Sequence, residues 1–189
     1  MKQMEYFDIV DETGTPTGGI VSREDAHRDG ILHRTAHVWI VREREGRTEV
    51  LLQKRSDDKD SFPGMYDTSS AGHIPAGDEP LDSAIRELRE ELGVTASGDD
   101  LEYAGSFRIQ YEEWFHDRLF RDNEVTWVYV YAKPVGSFTL QESEVSGVCW
   151  FDLDEVWGEI GSGDRRRLCV PEKGLEVLRK FLGKRTLSD

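Results

Sequence analysis

The chain is short of cysteine, of long apolar runs and of basic charge, and each shortage narrows what it can do. Cys149 and Cys169 are the only cysteines among 189 residues. With two thiols and no start signal, the expected setting is a reducing cytoplasm. No apolar run reaches the length that a bilayer crossing needs, so no membrane partner is expected. Lysine and arginine number 24 against 38 acidic residues, a formal charge of −14. Such a surface repels the phosphates of nucleic acid and of anionic lipid, which excludes both as general partners. A phosphorylated small molecule stays open, because a metal and a few local Arg or Lys residues suffice to bind one. Neither an internal repeat nor a low-complexity segment divides the chain, and residues 1–189 read as a single domain with a good-sized core.

What is there alternates between strand and helix signals. Residues 4–10 read as a strand, turned by Asp11-Glu12-Thr13-Gly14, with a short second strand at 19–21. Ser22 is placed to cap a short helix running toward His27, and Gly30 to end it. Residues 33–43 and 48–55 form a strand pair across Glu45-Gly46, and 101–111 and 124–133 two long strands. The intervening 112–122, rich in Trp, Phe and Arg, reads as a loop or hairpin tip. A last strand at 148–151 leads into a helix from Asp152, and 172–182 is amphipathic, with Leu175, Leu178 and Phe181 on one side. This order predicts an α/β fold, a mixed sheet with helices packed on its faces.

The stretch 72–94 organises the rest. Glu87, Glu90 and Glu91 fall at i, i+3 and i+4 and share one helix face. Pro80 suits a first helical turn, Asp78 can cap it, and Gly93 suits the exit. Leu81, Ile85, Leu88 and Leu92 form the stripe that buries the helix. Three carboxylates in the C-terminal half repel one another and the negative end of the helix dipole. A divalent cation removes both penalties, and oxygen ligands suit Mg2+ or Mn2+. The alternative is a solvated Glu/Arg face.

The spacing Gly72, Asp78, Arg86, Glu87, Leu88, Glu90, Glu91, Gly93, Val94 resembles the signature G-x5-[acid]-x7-R-E-U-x-E-E-x-G-U of the Nudix hydrolases, U being apolar. The departure is Asp78, where the family usually has Glu. The resemblance implies an α/β/α sandwich in which Glu87, Glu90, Glu91 and the Gly72 carbonyl hold Mg2+ or Mn2+ over a substrate diphosphate. Arg86 then orients the carboxylates.

A second resemblance spans 8–156. Leu32-His33, Trp39, Arg55, Lys59, Phe62-Pro63-Gly64, Gly72-His73 and Asp122-Asn123-Glu124-Val125 occur in the order of similar motifs in isopentenyl-diphosphate isomerase. That enzyme is of the Nudix fold. Carried over, His33, His73, Asp122 and Glu124 match metal-binding residues and form a possible second metal site. His27 stands near the place of a third histidine, one residue short in spacing. Arg55 and Lys59 match residues that hold the substrate diphosphate. The isomerase carries a proton-moving cysteine just before Gly-His, where this chain has Ala71, while this chain keeps the whole glutamate helix that the isomerases have largely lost.

The expected function is therefore metal-dependent hydrolysis of a diphosphate linkage in a nucleoside or isoprenoid diphosphate. An isomerase of isopentenyl diphosphate and a non-catalytic binding module are the alternatives. Glu87 is a ligand or a base, and Glu124, Glu142 and Glu144 are further candidates for the base. Trp114, Phe115, Trp127 and Tyr129 are candidates for the organic half of the pocket, and Tyr103 for replacing the missing cysteine. His37 shares a strand face with His33 and Thr35, where one histidine can simply support the other.

Overall fold

Strands β3 (His33–Arg44) and β4 (Arg47–Arg55) pair only at the turn, Val41–Arg44 against Arg47–Val50, and then part. Two short strands fill the gap. β5 (Tyr66–Asp67) joins the edge of β4, and β6 (Ser70–His73) joins the edge of β3. In this computed structural model residues 4–163 and 166–185 are described. The domain expected over 1–189 thus extends at 1–3, 164–165 and 186–189 outside the described residues.

β8 (Arg118–Tyr131) runs parallel to β3 on its other edge, β7 (Glu102–Phe115) pairs antiparallel with β8, and β9 (Val145–Asp152) with β4. The sheet is therefore mixed. Its two faces carry separate cores. Val38 and Ile40 of β3 pack with Ala84, Leu88 and Leu92 of helix α2 (Pro80–Leu92). Trp39 and Val41, one residue out of phase, pack with helices α3 (Leu153–Gly161) and α4 (Glu172–Arg185) through Val156, Ile160, Leu175 and Leu178. The architecture is an α/β/α sandwich.

A separate hairpin, β1 (Tyr6–Val10) with β2 (Pro16–Ser22), leads into helix α1 (Arg23–Asp29). Ser22 caps α1, accepting from the Asp25 N–H, and Gly30 closes it at φ 68°. Of the two readings of 112–122 the hairpin tip holds and the loop does not: β7 and β8 stay paired to Phe115 and Arg118, across a turn at His116 and Asp117 with φ of 48° and 63°. This hairpin projects past the sheet, so its residues lack the one-sided burial that marks a strand. Asp78 does not cap α2. Glu79 holds the N-cap position without a side-chain bond, and the Asp78 carboxylate instead accepts from Arg86 at 3.2 Å, a charge-assisted contact.

Candidate active site

The pleat of β3 sets the site. His33, Thr35 and His37 share the face of Trp39 and Val41, so that face is polar at one end of the strand and apolar at the other. Register places Glu124 beside His33, Thr126 beside Thr35, His73 beside Thr35 and Ala71 beside His37. Gly72, between Ala71 and His73, belongs to the opposite face, where α2 packs. A groove of about 1880 Å³ wraps this end of β6 and takes in Glu87, Glu90 and Glu91 together with His27, His73 and Glu124.

On the α2 side, Glu91 is only 4 % exposed. Its Oε2 accepts from Ser70 Oγ at 2.7 Å, the Ala71 N–H at 3.2 Å and Gln53 Nε2 at 3.3 Å. Burial, and next the Glu87 charge, still push its carboxyl up to about 8. Burial raises Glu87 as well. Arg86 donates to Glu87 Oε1 at 2.7 Å and to the His73 carbonyl at 3.3 Å, and its Nε stands 3.9 Å from Glu90. That guanidinium ties the carboxylate face to β6. A Cβ on Gly72 would lie 2.3–2.6 Å from the Glu87 side chain, so glycine is what lets the helix close on the strand. Crowded, partly desolvated carboxylates with one arginine among them form an all-oxygen donor set. They fit a hard divalent cation.

On the other side, His27 Nδ1 donates to the Arg23 carbonyl at 2.9 Å and His33 Nδ1 to the Ile31 carbonyl at 2.8 Å. A carbonyl only accepts, so Nδ1 carries the proton in each ring and Nε2 is the atom turned toward the other groups. The Nε2 atoms of His27 and His73 are 3.3 Å apart, and Glu124 Oε1 lies 3.6 Å from His33 Nε2 and 3.5 Å from His73 Nε2. His27, His33, His73 and Glu124 bring one ligand atom each within 4.8 Å of one another. His33 Nε2 and Asp122 Oδ1 have no hydrogen-bond partner. Burial, with His33 beside it, takes His27 down to about 4, and burial takes His73 well below its ordinary value. Burial alone would raise Glu124, but His33, 3.6 Å away, and the hydroxyl of Thr35, which donates to Oε2 at 3.0 Å, hold it below its ordinary value. Burial and the Glu124 charge drive Asp122 well up. The convergent set therefore contains His27, with Asp122 outside it, 3.8 Å from His27 Nε2.

The sequence profile of the NUDIX domain matches residues 31–169. The chain belongs to the Nudix hydrolase family. Over 155 residues it is 46 % identical to Nudix hydrolase 3 of Arabidopsis thaliana, covering 80 % of this chain and 20 % of that protein. It is 38 % identical to an uncharacterized Nudix hydrolase of Clostridium acetobutylicum, covering 80 % of this chain and 72 % of that one. YfcD of Escherichia coli, also an uncharacterized Nudix hydrolase, is 33 % identical, with coverages of 80 % and 76 %. The chain thus spans a fifth of the Arabidopsis relative and about three quarters of the bacterial two. Among solved structures, a Deinococcus radiodurans protein superposes at TM-score 0.69 with 20 % identity, covering 93 % of this chain and 98 % of that one. The NUDIX domain of Shewanella oneidensis NrtR, solved with ADP ribose, superposes at 0.56 with 18 % identity and coverages of 82 % and 87 %. At such identities the likeness is one of fold.

The remaining candidates divide around this Nudix site. Arg55 and Lys59 line the groove, but both are engaged: Arg55 with Asp67 at 3.1 Å and the Ser61 carbonyl at 3.0 Å, Lys59 with Glu144. Glu142 is exposed and outside the groove lining. Trp114 and Phe115 line the groove, whereas Trp127 and Tyr129 pack in the core on the α2 face, out of phase with Glu124 and Thr126 along β8. Tyr103 lies beside Tyr129, outside the groove. His37 is buried on the groove floor with its ring edge-on to Phe107, and burial lowers its pKa. Ala71 offers only a methyl group and its N–H. Cys169, distant in sequence, does line the groove, but burial drives its thiol up and leaves it a poor nucleophile or proton carrier. Sequence reasoning missed Gln53 and Ser70, whose single hydrogen bonds carry no signature. It also missed Phe7 and Phe120, which stack on the histidines. Phe62 was visible only as part of Phe62-Pro63-Gly64; in the fold its ring meets Phe115 edge-on, 4.9 Å away across the groove.

Proposed function

We propose that the chain is a Mg2+- or Mn2+-dependent hydrolase that cleaves the diphosphate linkage of a small organic diphosphate, a nucleoside or isoprenoid derivative. The observation that carries this reading is the closure of Glu87 onto Gly72 with Glu91 buried and pinned beside it. Glu87, Glu90, Glu91 and the Gly72 carbonyl are the residues that would hold the cation. When bound, a divalent cation there neutralises diphosphate charge and lowers the pKa of attacking water. In the reaction, water adds to one phosphorus, the bridging P–O bond breaks, and a carboxylate takes the water's proton. Ser70, Gln53 and the Ala71 N–H fix Glu91, and Arg86 fixes Glu87. Glu144 stands at the groove wall as a base held by Lys59, and Glu124 belongs to the histidine side. An isomerase is not favoured, because Ala71 leaves no acid or base where that chemistry needs one.

A second reading concerns the histidine pocket. Two imidazoles whose Nδ1–H groups are spent on backbone carbonyls, with their Nε2 atoms turned toward His73 and Glu124, have the outer-shell arrangement of metal ligands. Three imidazoles and one carboxylate suit a borderline transition cation better than Mg2+.

The test is phosphate release from nucleoside di- and triphosphates, sugar nucleotides, dinucleoside polyphosphates and isoprenyl diphosphates with Mg2+ or Mn2+. Turnover that EDTA abolishes and either cation restores is expected. No turnover of any member, or full turnover in EDTA, sinks the reading.

A further inference from the structure

Three rings in the histidine pocket need to be held at fixed angles, and the backbone bonds account for only two. His27 and His33 are tied through Nδ1 to carbonyls. His73 Nδ1 faces Arg23 Nη1 at 3.5 Å and makes no such tie. What lies flat against His73 is Phe7, with ring centroids 4.6 Å apart and planes within 4°. The same ring stacks on His33 at 4.9 Å and 14°.

Phe7 is delivered by a hairpin clamped to the segments that follow both histidines. The Asp8 carboxylate takes Arg34 Nη2 at 2.7 Å and the Gly77 N–H at 2.9 Å. The Ala76 N–H donates to the Tyr6 carbonyl at 2.8 Å. Phe7, 1 % exposed, is therefore wedged beside the two imidazoles. The NUDIX profile begins at residue 31, so Phe7 and His27 both come from the segment ahead of it.

Resting on the second-metal reading above, we propose that Phe7 is the positioning residue of the histidine pocket, its flat face holding His33 and His73 with their Nε2 atoms convergent on one transition cation. An aliphatic side chain fills the same volume but lets an imidazole tilt. A tilt moves Nε2, and with it the ligand geometry, while the pocket stays packed. Phe120 gives His27 a comparable wall, 4.4 Å away at 19°.

The experiment titrates the metal-free full chain with Co2+, whose visible absorption is far stronger when nitrogen-bound at low coordination than in an octahedral oxygen shell. Wild type is expected to give a strong band that His33→Gln abolishes. Phe7→Leu should bind Co2+ about 10- to 100-fold more weakly, the range for loss of groups that orient metal ligands. Its band at saturation should be shifted, which a merely structural role would not produce. Phe7→Tyr, which keeps the flat ring, should restore the wild-type band. Phe7→Met serves if the leucine variant does not fold. A folded Phe7→Leu or Phe7→Met with wild-type affinity and band overturns the assignment of Phe7. A wild-type signal that His33→Gln leaves unchanged overturns the second-metal reading itself.

Discussion

Carboxylates wall one side of β6 and imidazoles the other, and the two sides handle charge in opposite ways. On the α2 side charge is concentrated and partly open: Glu90 is half exposed, and Arg86 spans Asp78, Glu87 and Glu90. On the histidine side His27 and His73 are kept neutral by burial and the rings are enclosed by Phe7 and Phe120, with Glu124 the ionised carboxylate. A hard, strongly hydrated cation suits the first environment and a softer, partly dehydrated one the second. On the proposed reading, two different cations would then flank one groove.

The sharpest way to break this comparison is Glu91→Gln. It keeps the shape and removes the carboxylate that would ligate the cation, and kcat should fall by at least about a hundredfold, since losing even the groups that orient metal ligands costs 10–100-fold. The Co2+ band of the histidine pocket should survive. Loss of both signals in one folded variant would mean that the two sides are a single site.

Arg55→Ala comes next. A charge-assisted contact is worth roughly 1.5–3 kcal/mol, which corresponds to about a 10- to 150-fold fall in kcat/KM. The structure adds that Arg55 now bonds Asp67 and Ser61, so it also anchors the loop carrying Phe62. Arg55→Lys should recover only part of the loss, because a single ammonium cannot make both contacts. Unchanged kcat/KM in Arg55→Ala removes it from the site.

Stability against pH should separate the two sides without any substrate. Glu91, raised to about 8 in the fold from about 4.5 unfolded, is protonated in the native state while the unfolded chain has released its proton. Its contribution is therefore complete below pH 4.5 and lost as pH rises toward 8. His27, lowered to about 4 from 6.5, works the other way, its contribution growing from pH 4 and complete above 6.5. The opposing slopes overlap between pH 4.5 and 6.5, and above 6.5 the raised carboxyls, Glu91 and on the histidine side Asp122, act without His27. Metal-free protein should lose urea resistance across that upper window. Glu91→Gln should lose less, as should wild type in saturating Mg2+. A flat wild-type profile from pH 6.5 to 8 contradicts the raised carboxyl.

The two sides also differed in how far they could be read from the chain. Helical spacing puts Glu87, Glu90 and Glu91 on one face within five consecutive residues, so their pattern survives in one dimension. The histidine pocket collects residues from α1, β3, β6 and β8, and only strand register brings His33, His73 and Glu124 together. A resemblance supplied three of those residues but favoured Asp122 over His27, whose spacing to His33 departs from the motif by one residue. The sequence left 112–122 open between loop and hairpin tip, because groove and solvent, rather than core, receive its side chains. Asp78 read as a cap because Arg86, eight residues on, could not be seen to compete for it.

The smallest expected effect tests how independently α1 holds His27. Ser22 Oγ accepts from the Asp25 N–H at 3.1 Å and donates to its carboxylate at 2.6 Å, so Ser22→Ala uncovers the start of a seven-residue helix. Loss of such a cap costs about 1 kcal/mol. Yet the other end of α1 is tied to β8: Arg121 donates to the Arg28 carbonyl at 2.5 Å and Asn123 to the Gly30 carbonyl at 2.9 Å. These bonds lie close to His27 and should keep its ring in register while the first turn frays. Urea unfolding should therefore show the loss of about 1 kcal/mol, while Co2+ affinity drops by no more than about threefold. A Co2+ loss as large as that of Phe7→Leu would show that the cap, and not β8, sets the position of His27.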